Sequence, residues 1–202
     1  MTGLNVRVRL LRTRIAPGVP VLAVPMTIWW RDARFRVRDE SGRAYADLAA
    51  DVTEPRGFGR VPRTMEEFMD AATPPPDRGP TDIYGDLDAP TGLVDEPRGR
   101  PWEVPLERIA GVAAQVLAGD LDGLAPSGRE TLLGRDCEEY RSLIEGVEDG
   151  RPFRSDVRWL VAGPYVLLRE VVDAGGLMRL RMEAVAVDEG AVAESDVQVP
   201  GG

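Results

Sequence analysis

RETLLGRDCEEYRSLIEG (Arg129–Gly146) and RSDVRWLVAGPYVLLREVVDAGGLMRLRMEAVAVDEGAVAESDVQVP (Arg154–Pro200) read as a chain of short strands. Alternating apolar and polar residues, broken at short intervals by turn residues, are the pattern of an antiparallel meander. The predicted strands are Thr131–Leu143, Asp156–Val161, Tyr165–Asp173, Leu177–Asp188 and a short Asp196–Val199. Val157, Trp159 and Val161 fall on one face. Met178, Leu180 and Met182 alternate with Arg179, Arg181 and Glu183, which describes a half-buried strand. Val166, Leu167 and Leu168 are consecutive, so their strand is expected to be covered on both faces. Asp173 to Gly176 supplies a hairpin turn.

Working back to the N-terminus, Val6, Val8 and Leu10 alternate with Arg7 and Arg9, and the phase changes at Leu10–Leu11. A phase change inside a strand predicts a bulge. Val21 to Trp30 forms a second strand, and Pro20 just before it and Pro25 within it favour an edge or a bulge. Phe35 and Val37 alternate with Arg34, Arg36 and Arg38 in a third. A fourth is predicted over 43–52.

Thr64 opens a predicted helix, with Glu67 completing a capping box and Met65, Phe68, Met69 and Ala72 on one stripe. A second helix spans Pro105 to Gly119, with Leu106, Ile109, Ala110, Ala113, Val116 and Leu117 on its apolar side. Between them, Thr73–Pro105 holds eight prolines and four glycines. That segment is expected to be a long acidic loop inserted into one domain covering 1–202.

Composition closes many chemistries. All 25 basic residues are arginine, and histidine is absent. There is no imidazole for a Ser-His triad and no lysine for a Schiff base or a P-loop. Cys137 is the only cysteine, so thiolate zinc sites and internal disulfides are excluded, and it is expected to be a small buried hydrophobe. Carboxylate pairs such as Glu138/Glu139 and Asp86/Asp88 lack a partner chemistry and read as surface charge. The net charge of −9 argues against nucleic acid as a partner. Arg7, Arg9, Arg12, Arg14, Arg31, Arg34, Arg36, Arg38 and Arg43 crowd the start, either as a solvated strand face or as a docking face for an acidic partner. No apolar run approaches the roughly 18–20 residues of a membrane span. The opening residues do not form a secretion signal. The expected location is cytoplasmic as written; an exported chain trimmed of its leader reads the same way.

Several stretches resemble the LolA/LolB-type lipoprotein-carrier superfamily, with its mycobacterial lipid-binding lipoproteins and RseB/MucB regulators. They are Glu130–Tyr140 (ETLLGRDCEEY), Gly176–Glu183 (GLMRLRME), Val187–Pro200 and Trp30–Arg38 (WRDARFRVR). The resemblance implies an α+β fold: a strongly curved antiparallel sheet, a half barrel, with two helices closing its concave face over an apolar ligand. It further implies a non-catalytic protein without cofactor or metal that carries or senses a lipid-like molecule. The expected lining is Met65, Phe68, Met69, Leu106, Ile109, Ala113 and Leu117 from the helices, facing Val8, Leu10, Phe35 and Trp159. The alternative is an adaptor with a packed core, meeting a protein partner through its arginine-rich strands or through residues 73–105.

Overall fold

The computed structural model describes residues 3–15, 22–42, 79–97, 99–121, 123–148, 151–173 and 179–200. Their eleven strands form one antiparallel sheet. In chain order these are β1 (Asn5–Ile15), β2 (Leu22–Arg31), β3 (Arg34–Asp39), β4 (Thr81–Asp86), β5 (Thr91–Asp95), β6 (Trp102–Pro105), β7 (Gly128–Leu132), β8 (Arg135–Glu148), β9 (Arg151–Ala162), β10 (Tyr165–Asp173) and β11 (Arg179–Glu189). The spatial order is β6-β5-β4-β3-β2-β1-β11-β10-β9-β8-β7. Two meanders therefore meet where the first and last strands pair, and β6 and β7 are the two edges. These edges are consecutive in sequence, so residues 106–127 must cross from one side of the sheet to the other.

The crossing begins with helix α1 (Leu106–Ala114). Its apolar side places Ile109, Val112 and Ala113 in the core, and it runs through Gly111 to Ala114. The helix lies against β3, β4, β5 and β6. Beyond it the chain joins the far half of the sheet. The Val116 carbonyl accepts from Val166 N–H at 2.9 Å, and Ala118 N–H donates to Pro164 O at 2.9 Å. A 3-10 turn, Ala118–Leu121, follows. A second short helix, α2 (Glu194–Val197), stands where a last strand was expected.

The fold is thus mostly β rather than α+β, and the sheet is not strongly curled. Its ends stay apart as open edges. The expected loop also gives way: Thr81 to Pro105 holds three of the strands. Prolines obscure them in the sequence. Pro90, Pro97 and Pro101 fall between strands and Pro105 ends β6, while Ile83, Val94 and Val104 are buried within them.

Other expectations fare variously. The register of β1 against β11 shifts between Arg9 and Leu10, where the phase change lies, although the extra residue is Val185 on β11. β2 is an interior strand despite Pro25. The Pro25 carbonyl accepts from Glu40 N–H at 3.1 Å. Pro25 therefore faces β3 just past its last paired residue, Asp39, where a missing N–H costs no ladder bond. The predicted strand Thr131–Leu143 is two strands, β7 and β8, turned by Leu133 (φ 54) and Gly134 (φ 71). Val166, Leu167 and Leu168 are all buried, as consecutive apolar residues required. The predicted strand over 43–52 and the predicted helix starting at Thr64 lie outside the described residues.

Candidate functional site

Cross-strand pairing assembles the apolar face that α1 covers. Val6, Val8 and Leu10 of β1 stand opposite Trp30, Ile28 and Met26 of β2. Those pair in turn with Phe35, Val37 and Asp39 of β3, which pair with Gly85, Ile83 and Thr81 of β4. Directly opposed residues share a face, so four strands present one continuous surface. It is carbon-rich except at one end.

Two glycines let this surface take its helix. The Phe35 ring lies over Gly85, where an added Cβ would stand 2.2 Å from Cζ. Ile109 of α1 sits over Gly92 of β5 in the same way, 2.2 Å from the position of a Cβ. Trp30 stacks against Phe35 with ring centroids 5.0 Å apart. Its indole Nε1–H donates to the Ala113 carbonyl at 3.1 Å.

Of the expected lining, Val8, Leu10, Phe35, Ile109 and Ala113 are fully buried in one cluster. Leu106, Leu117 and Trp159 pack against the same cluster and are partly buried. Met65, Phe68 and Met69 lie outside the described residues. The residues picked from helix and sheet periodicity thus converge, and the expectation missed Trp30, Met26 and Ile83. Trp30 ends an alternating strand just before the turn that leads to Phe35, which was the available signal.

The polar end of this face was also missed. Asp39 is 1% exposed. Its Oδ1 accepts from the Ser41 N–H at 2.7 Å and from the Ser41 hydroxyl, and Oδ2 lies 3.5 Å from Arg12 Nη1. A carboxylate at this depth requires such partners.

The opposite face of β1–β4 carries Arg7, Arg34, Arg36 and Arg38, each paired with a carboxylate. Arg7 reaches Asp188 at 2.9 Å, Arg34 reaches Asp86 at 3.2 Å, and Arg36 and Arg38 reach Asp82 at 2.9 and 2.7 Å. Arg36 also lies between two rings, 4.9 Å from the centroid of Trp29 and 5.3 Å from that of Tyr84. Burial alone would push the Asp82 carboxyl up, but hydrogen bonds from Arg38 and Arg36 outweigh it and hold the pKa below the ordinary value. Burial, and then the Asp82 charge, push the Tyr84 phenol up. Among the described residues no three of His, Cys, Asp and Glu gather as metal ligands.

No protein-family profile matches the sequence, and no curated protein matches it. Solved structures do. An uncharacterized conserved protein from Thermus thermophilus aligns over 98% of this chain and 86% of its own, at 10% identity and TM-score 0.50. A chain of the Pseudomonas aeruginosa MucA/MucB complex aligns over 98% of this chain at 11% identity and TM-score 0.51, and this chain spans 56% of its length. A LolA superfamily protein from Nitrosomonas europaea aligns over 98% of this chain and 92% of its own, at 11% identity and TM-score 0.38. At such identities the likeness is one of fold. The fold of this chain is similar to that of the MucA/MucB structure, in agreement with the sequence resemblance to the superfamily that includes the RseB/MucB regulators.

Proposed function

We propose that this chain is a non-catalytic binding protein that carries or senses a hydrophobic, lipid-like ligand between its sheet and its covering helices. The observation that carries this reading is a mismatch of size. A helix of nine residues is about 14 Å long. A sheet of eleven strands is roughly 50 Å across at ~4.8 Å per strand. The apolar cluster runs far past α1, through Leu10 and Met26 to Ala184, Met182 and Leu180 of β11 and Val171 of β10. Leu10, Met26, Ala184, Met182, Leu180 and Val171 are at most 5% exposed, so an apolar cover wider than α1 lies over them. In this reading the sequence stripe Met65, Phe68 and Met69 belongs to the wall that faces the ligand. Methionines suit an adaptable wall.

The test is a titration of delipidated protein with a dansyl-labelled undecanoic acid. Saturable fluorescence enhancement, displaced by palmitate, is expected. Folded protein that gives no saturable enhancement would overturn the proposal. The adaptor reading through the arginine-rich strands is weakened because Arg7, Arg34, Arg36 and Arg38 are held by carboxylates of the same chain.

A further inference from the structure

On the face opposite the apolar cluster, a cleft of about 470 Å³ lies between β4–β6 and the segment that follows α2. Its floor and walls include Tyr84, Leu93, Val197 and Val199. A second lobe of about 280 Å³ adjoins it, bounded by Asp32, Asp86, Asp88 and Glu194. The two lobes share Arg34, Asp86 and Val197. We propose that this bipartite cleft binds an extended peptide in which apolar and basic residues lie side by side.

Three observations converge. The first is charge. The two lobes together gather five carboxylates, Asp32, Asp86, Asp88, Glu103 and Glu194, against two guanidiniums, Arg31 and Arg34. Both guanidiniums are already engaged: Arg34 with Asp86 at 3.2 Å and Glu194 at 2.5 Å, and Arg31 with Glu194 at 3.8 Å. Asp88 and Glu103 carry no ion pair among the described residues. One of them borders each lobe, so a cationic side chain finds a carboxylate on either side of the Arg34 bridge.

The second is apolar exposure beside that charge. Val199 is 38% exposed and Leu93 is partly buried, and both border the larger lobe. The third is backbone. The β4–β5 ladder ends at Tyr84–Leu93. Gly85, Asp86, Thr91 and Gly92 lie past that end and line the cleft. Gly85 and Asp86 pair with β3, Thr91 and Gly92 pair with β6, and the Asp86 carbonyl accepts from Ala89 N–H at 3.0 Å, so the extended segment bordering the cleft is that of Gln198 (φ −80, ψ 136). Extended segments commonly recognise peptides through their main chain, with side-chain pockets supplying specificity. A lipid headgroup of negative charge is repelled here, which separates this site from the apolar core on the other face.

The experiment uses fluorescence anisotropy with three labelled hexapeptides, SLRVRS, SLEVES and SSRSRS, at moderate salt. SLRVRS is expected to bind saturably and at least tenfold more tightly than either other peptide. The exposed substitutions Val199→Glu and Glu103→Gln with Asp88→Asn are each expected to weaken it at least threefold while leaving the unfolding midpoint in place. Equal binding of SSRSRS would overturn the proposal, since a chain of net charge −9 attracts any polycation weakly. Absence of saturable binding by SLRVRS, or binding unchanged in the variants, would also overturn it.

Discussion

The indole Nε1–H of Trp30 donates to the carbonyl oxygen of Ala113, 3.1 Å away and 83 residues on in sequence. Ala113 lies in the last turn of α1, where the helix leaves its carbonyls without internal partners. The bond therefore caps the helix from the sheet side and fixes where α1 crosses. Trp30→Phe keeps the ring against Phe35 and removes the donor, leaving a buried acceptor unsatisfied. A loss of about 1–3 kcal/mol is expected, read as a lower urea midpoint with unchanged slope. An unchanged midpoint would mean that α1 is held by apolar contact alone.

Gly85 is the complementary test. A methyl there collides with the Phe35 ring, and that ring is fully buried beneath Trp30. Gly85→Ala is expected to cost about 1–3 kcal/mol through overpacking. Combined with Phe35→Leu, the two losses should sum to less than their separate values, because the smaller side chain vacates the colliding volume. Additive losses in this double-mutant cycle would contradict the packing described.

Asp82 sets the acid limit of the β3–β4 pairing. Its pKa lies below the ordinary carboxylate value in the folded chain. The unfolded chain therefore binds the proton more readily. The stabilisation is present above the unfolded pKa of about 3.9 and is lost as pH falls through the lower folded value. Asp82→Asn should cost about 2–4 kcal/mol at neutral pH, since it removes the partner of both Arg36 and Arg38. The difference between variant and parent should shrink below pH 4. Thermal unfolding followed from pH 7 to pH 3 reads both effects.

Cys137 gives an inexpensive check on the second meander. It is 1% exposed on β8, and burial pushes its thiol pKa up. Reaction with a disulfide reagent in native buffer should run at least a hundredfold slower than in urea. Fast reaction in native buffer would show that β7–β9 open readily.

The meander after Arg129 was readable because alternation is strong there and its turns carry Gly134, Gly163 and Gly190, all at positive φ. The same logic located the register shift near Leu10. It failed between Thr81 and Pro105, where strands of six, five and four residues offer too few alternations to outweigh the prolines between them. The buried cluster beneath α1 was partly legible, because Ile109 and Ala113 recur at helical spacing and Val8 and Leu10 at strand spacing. Trp30, Asp39 and the cleft beside Arg34 were not. Each depends on which strands become neighbours, and pairings such as Arg34 with Asp86 or Asn5 with Val192 span 52 and 187 residues.

The lipid-binding proposal requires an apolar molecule held against the apolar face of the sheet. Native mass spectrometry of the protein purified from its own host, without detergent, examines that occupancy with no assumption about the ligand. A discrete added mass is expected, removed by organic extraction and identified by lipid analysis as an acyl-chain compound. A single unliganded mass, unchanged after incubation with host lipid extract, would contradict it.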